Sequence, residues 1–186
     1  DSLILGEPQI FGQLKQSLAQ ATEAGTVDKY LNHLFQLSFN ISKEIRTKTN
    51  IGAYAVSVAF TAVQLARQIF DGLEHHRVLL VGAGETIELV ARHLLESGVR
   101  NITVANRSEG RAKELIEELG IEAQSHALQQ LPELLVEADI VVSSTAADHA
   151  LITKSMAKAA LKARKQQPIL MVDLAVPRDI EAEVGT

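Results

Sequence analysis

The chain has 186 residues, enough for one full domain and part of a second, and at that size about 70% of the unfolded surface can be buried without staples. Hydrophobic residues make up 46% and charged residues 22%, which excludes a disordered chain, and no run of 18 apolar residues offers a transmembrane helix. Eighteen basic against 23 acidic side chains give a net charge of −5, against generic polyanion binding, and the count of zero cysteines excludes a disulfide framework, a thiolate metal site and a thiol nucleophile within this chain.

The chain begins at Asp1 with no Met and no leader pattern, and reads as a piece of a longer cytoplasmic protein. Up to about residue 72 the apolar period is helical. A first helix is expected from near Gly6 to Ala24, before the breaker Gly25. Val27, Tyr30, Leu31, Leu34, Ser38, Ile41 and Ile45 mark a second, with Asp28 or Thr26 as its cap. The Gly52 region separates it from a third, carried by Ala55, Val58, Ala59, Ala62, Val63, Ala66, Ile69 and Phe70.

After Gly72 the pattern changes to short apolar runs alternating with amphipathic helices. Val78–Val81, Ile102–Val104, Ile140–Val142 and Ile169–Val172 read as buried strands, each too short for a helix. Continuous apolar strands separated by helices imply a parallel sheet covered on both faces, so the fold expected is α/β and Rossmann-like.

The first strand runs into Gly82-Ala83-Gly84-Glu85-Thr86-Ile87 and then a helix. In that context the first glycine permits a tight turn, and the second lets backbone approach a pyrophosphate. The helix N-terminus then offers N–H groups and a positive dipole end. Ile87 stands where the strict fingerprint has a third glycine, and Glu85 would have to point away from a phosphate. The plain alternative is an ordinary strand-to-helix turn. The second strand ends in Asn106-Arg107-Ser108, with no carboxylate to hold a ribose 2′-hydroxyl. Arg107 has a planar fork suited to a 2′-phosphate and to stacking on adenine, which favours NADPH over NADH. Asn106 and Ser108 can add neutral hydrogen bonds, or simply make the turn and cap the next helix. Past the Ile140–Val142 strand, Ser144 and Thr145 are expected on the nicotinamide side of the crevice.

Four stretches in order carry a resemblance: Gly6-Glu7-Pro8-Gln9-Ile10-Phe11-Gly12-Gln13, Arg46 through Gly52, Val81 through Leu89, and Asp173 through Ile180. Together they resemble glutamyl-tRNA reductase, the first committed enzyme of the five-carbon route to tetrapyrroles. The resemblance implies two stages. A cysteine takes the glutamyl group from tRNA as a thioester, and NADPH then reduces it to glutamate-1-semialdehyde. It places Ser2, Glu7, Pro8, Gln9 and Gln13 around the glutamyl substrate, and Gly82 through Ile87 in the NADPH loop. Glu7 and Pro8 would also suit a plain helix start. The nucleophilic cysteine is expected upstream of this chain, which holds no catalytic residue of its own and is expected to be inactive alone. The resemblance further implies a homodimer built through a C-terminal domain, hand-over of product to glutamate-1-semialdehyde aminomutase, and no membrane contact.

The expected organisation is residues 1–53 as the C-terminal part of a catalytic domain, 54–76 as a linking helix, 77–176 as the NADPH-binding domain, and 177–186 as the start of a return connection. Two rivals remain open: a shikimate-dehydrogenase-like oxidoreductase, which shares the glycine turn and the Asn-Arg-Ser strand end, and a non-catalytic NADP-sensing or tRNA-binding module. The histidines show no metal spacing, and His75-His76 reads as solvated at a helix-to-strand junction. Lys154, Lys158, Lys162 and Lys165 read as a stripe on one helix, a solvated face by default or, with Lys43, Arg46 and Lys48, a surface for tRNA phosphates.

Overall fold

The structure, a computed structural model, describes residues 8–49, 51 and 57–185. They divide between two compact units, one up to Val58 and one from Ala59 onward. In the first, α1 (Pro8–Glu23) and α2 (Lys29–Lys48) are joined through Gly25, whose φ of +69° suits glycine. Asp28 caps α2, its side chain accepting from Leu31 N at 2.7 Å. Phe11 meets Phe39 edge-on at 5.4 Å, and Leu18 is buried. The apolar stripe of α2 stays exposed within this unit, with Tyr30, Leu34, Ile41 and Ile45 all open.

The second unit starts with α3 (Val58–Ile69) and continues β1 (Arg77–Val81), α4 (Glu85–Glu96), β2 (Asn101–Asn106), α5 (Glu109–Leu119), β3 (Gln124–Ala127), α6 (Leu131–Glu137), β4 (Ile140–Ser143), α7 (Lys154–Ala163) and β5 (Leu170–Asp173). The five strands form one all-parallel sheet in the order β3-β2-β1-β4-β5. The strand period explains the layers. Val78 and Leu80 face the helices α3, α4 and α5, packing with Val63, Ile87, Val90, Leu94 and Leu115. Leu79 and Val81 face the other way, toward Leu131 and Leu135 of α6 and Ala160 of α7. This is the Rossmann-like α/β sheet expected from the alternating pattern.

Three features go beyond the sequence reading. β3 escaped notice because Gln-Ser-His-Ala carries no apolar run; pairing to β2 alone, at the sheet edge, makes it a strand. Of the segment read as a linking helix over 54–76, residues 54–56 lie outside the described residues, Val58–Ile69 are helical, and Ala59, Val63 and Ala66 belong to the sheet's own core. Residues beyond 176 also remain with the sheet: Ile180 bridges Ile152 in parallel and is buried, and Ala182–Gly185 form a short 3-10 turn. The compact unit is therefore wider at both ends than 77–176.

Candidate dinucleotide-binding site

In a sheet of this order the connections leave in opposite directions after β1 and β4, and the crevice opens at the carboxyl ends of those two strands. Gly82 sits there. Its N–H donates to the Ala105 carbonyl at 2.8 Å, and Ser144 N–H donates to the Val81 carbonyl at 2.9 Å, so the turn is tied to β2 on one side and β4 on the other. Gly82 has φ +111°, and a Cβ built on it would lie 2.3 Å from the Ser144 carbonyl oxygen. Only glycine fits both the dihedral and the space.

Gly84 is different. It has φ −96°, lies exposed as the N-cap of α4 with no side-chain cap, and a Cβ there would meet nothing within 4 Å. The room beside it is the kind a pyrophosphate needs for close backbone approach. Ala83 is buried, Glu85 is exposed and Thr86 half-buried. Ile87, in the third-glycine place, is fully buried in the core beneath α3, α4 and α5, so its side chain serves packing.

At the end of β2 the capping alternative holds: Ser108 Oγ accepts from Arg111 N at 3.4 Å, and Asn106 Nδ2 donates to the Ser108 carbonyl at 3.0 Å. Arg107 between them is exposed. Its charge is felt by Asp148 in the connection after β4, whose carboxyl is held below the usual range chiefly by a hydrogen bond from His149, with a smaller pull from Arg107.

Beyond β4, Ser144 is half-buried, while the Thr145 hydroxyl is engaged within the protein: it donates to Asp179 Oδ1 at 2.5 Å and accepts from Ala147 N at 3.1 Å. Nothing in the sequence assigns a role to Asp179 or Asp173, both within the Asp173 through Ile180 stretch. Asp173 accepts from Ala175 N and Ile180 N, at 3.0 and 2.9 Å, and so folds the chain back after β5. The available signal was a pair of acids, Asp173 and Asp179, flanking the apolar run Leu174 to Pro177 and Arg178.

Of the residues assigned to the glutamyl substrate, Ser2 and Glu7 lie outside the described residues, as do Asn50 and Gly52 of the second stretch. Pro8 opens α1, Gln9 is half-buried and Gln13 exposed on the same helix. Two side readings change. Lys165 leaves the lysine stripe, since α7 ends at Ala163 and Lys165 has φ +53°. His75 is exposed, but His76 is half-buried: its ring lies 4.3 Å from that of Phe70, and its Nδ1 is buried with no hydrogen-bond partner among the described residues. A groove of about 650 Å³ also lies at the opposite end of the sheet, where Arg77, Arg100, Glu122 and Glu137 mix both charges at the start of β1 to β3. It is far from the glycine turn along the strands, and the geometry at the strands' carboxyl ends outweighs its size.

Comparison with known proteins settles the family. Residues 64–186 match the model for Shikimate / quinate 5-dehydrogenase, and that stretch belongs to that family of domains. Residues 1–49 match the model for the N-terminal domain of glutamyl-tRNAGlu reductase. The glutamyl-tRNA reductase of Shewanella amazonensis is 58% identical over 185 residues, covering 100% of this chain. The chain belongs to the glutamyl-tRNA reductase family. A second member, from Shewanella loihica, is 57% identical over the same length, and the chain spans 44% of each. The solved glutamyl-tRNA reductase of Methanopyrus kandleri is 40% identical, with a TM-score of 0.65, over 100% of this chain and 46% of its own. The dipicolinate synthase of Bacillus subtilis, 21% identical with a TM-score of 0.54 over 68% of this chain and 40% of its own, shares the fold alone. The sheet unit is thus a nicotinamide dinucleotide-binding domain of that family. Among the described residues no helix is long and apolar enough to cross a membrane.

Proposed function

We propose that this chain forms the cofactor-binding part, and a portion of the substrate side, of a cytoplasmic NADPH-dependent reductase. The reductase converts glutamyl-tRNA to glutamate-1-semialdehyde for tetrapyrrole synthesis. The observation that carries the reading is the glycine turn at the switch point, Gly82 against Ser144 with open space at Gly84, in a chain of this family. That cradle fits a dinucleotide: a side chain at Gly82 would fill the turn, and one at Gly84 would fill the approach to α4.

When bound, NADPH supplies the hydride that reduces the activated glutamyl group. The chain's own residues bind and orient. The N-terminus of α4 holds the pyrophosphate charge by its dipole. Arg107 holds the 2′-phosphate in its planar fork and covers the adenine. Ser144 borders the nicotinamide, while Ser2, Glu7, Pro8, Gln9 and Gln13 surround the glutamyl group. The thiol that accepts that group lies outside these residues, because the chain has zero cysteines, so the chain alone turns over no substrate. A homodimer and hand-over of the aldehyde to glutamate-1-semialdehyde aminomutase belong to the same proposal, and family membership supports them.

The test follows NADPH oxidation by the full-length protein with glutamyl-tRNA, using free glutamate and uncharged tRNA as blanks. Oxidation with the charged tRNA alone supports the proposal. Turnover of shikimate would move it to the dehydrogenase reading, which residues 64–186 favour and residues 1–49 oppose. Nucleotide-dependent partner binding without any turnover would make the protein a sensing module.

A further inference from the structure

Asp179 is a fully buried carboxylate, at 0% exposure, and it forms no ion pair among the described residues. Its Oδ2 accepts from Ser143 Oγ at 2.6 Å and from Thr145 N at 2.8 Å, and its Oδ1 accepts from Thr145 Oγ1 at 2.5 Å. Its backbone carbonyl accepts from Leu151 N and Ile152 N, which fixes Asp179 itself against the segment leading into α7. Among the described residues its side-chain partners are neutral donors. A buried charge is unfavourable unless hydrogen bonds replace its hydration, and here two hydroxyls and one backbone N–H supply them from one short stretch of chain, Ser143 to Thr145.

That stretch is the wall of the crevice opposite the glycine turn. Ser144, gripped on both sides by residues bound to Asp179, presents the carbonyl that Gly82 makes room for. Its N–H is in turn bonded to the end of β1. A carboxylate accepts from several donors at once through both oxygens, which a single hydroxyl or amide oxygen in the same place could not match. The Thr145 hydroxyl donates its hydrogen bond to Asp179 and accepts one from the Ala147 N–H, so it is engaged within the protein.

We propose that Asp179 is a positioning residue for the cofactor. Through Ser143 and Thr145 it sets the β4 wall that borders the nicotinamide half, and Thr145 acts through it without touching the ligand. This rests on the dinucleotide reading above. The adenosine half is bound elsewhere, at the end of β2, so the two halves of the cofactor should respond differently to loss of Asp179.

The test uses the full-length protein with two probes, NADPH and adenosine 2′,5′-bisphosphate, which carries the adenosine half alone. Wild type binding both upholds the dinucleotide site, whereas binding of neither overturns that site and this inference together. With the site upheld, Asp179→Asn should weaken NADPH by about tenfold or more and leave the bisphosphate within about twofold. Thr145→Val, which keeps shape and removes the hydroxyl, should show the same selectivity at about threefold to tenfold, and it carries the test if Asp179→Asn fails to fold. Equal weakening of both probes in Thr145→Val would reduce Asp179 to a general structural role, and no weakening of either would remove it from cofactor binding.

Discussion

Replacing Gly82 by alanine puts a methyl group where Ser144 already stands. The new Cβ would lie 2.3 Å from the Ser144 carbonyl oxygen, 3.1 Å from its carbon and 3.4 Å from Ile87 Cγ1. Ile87 can shift slightly, but the carbonyl cannot turn away freely. Ser144 N–H is bonded to Val81, and the residues on both sides are held by Asp179. The backbone at φ +111° is unfavourable for any residue with a side chain, by about 1–3 kcal/mol. Forced overpacking adds about 1–3 kcal/mol. The combined loss of about 4 kcal/mol should lower Tm by roughly 15 °C for a unit of this size. Thermal unfolding followed by circular dichroism measures it directly, with a denaturant melt as a check on cooperativity. A Tm within about 3 °C of wild type would refute the reasoning, because it would mean that β1 and β4 part without resistance.

Three further outcomes are expected. Arg107→Ala should weaken NADPH binding by about tenfold or more and NADH by less than about twofold, read by fluorescence titration; equal losses would remove Arg107 from the 2′-phosphate. Glu7→Ala in the full-length protein should lower turnover of glutamyl-tRNA while NADPH affinity stays nearly unchanged, and an unaltered rate would take Glu7 out of the substrate site. Asp139 ties Arg164, whose side chain is only 3% exposed, through Oδ1 to Nη2 at 2.8 Å. Burial pushes the Asp139 carboxyl up, but the hydrogen bonds from Arg164 and Arg77 outweigh it and hold the group below its ordinary 3.8. The stabilisation is therefore present above that pH and lost as the pH falls through the lowered folded value. Asp139→Asn should cost about 2–4 kcal/mol at neutral pH, between the exposed and buried ranges for ion pairs. The gap from wild type should close in acid below 3.8, and a gap constant with pH would contradict the assignment.

The sheet was legible wherever its residues are apolar on both faces. Val78–Val81 and Ile140–Val142 could lie nowhere but in a covered parallel sheet, and the glycine turn after the first followed from its place between strand and helix. β3 was not legible, since its polar residues become a strand by pairing with β2 at an edge, a tertiary fact with no local pattern. The helical period of α3 was plain, but nothing in it said that Ala59, Val63 and Ala66 pack into the core of the sheet. The crevice was half readable. Gly82 announces itself by type and context, whereas the Asp179 carboxylate reaches Ser143 and Thr145 across more than thirty residues of chain and leaves no spacing signal.

The most direct measurement of the cofactor site is NADPH titration of the protein carrying Gly84→Ala. At this exposed N-cap, where a Cβ meets nothing within 4 Å, loss of glycine should move Tm by no more than about 2 °C. The added methyl occupies the space through which backbone and pyrophosphate approach one another, so NADPH affinity should fall by about tenfold or more. Unchanged affinity in a protein of unchanged stability would mean that the turn only joins strand to helix, and the site would have to be sought elsewhere on the sheet.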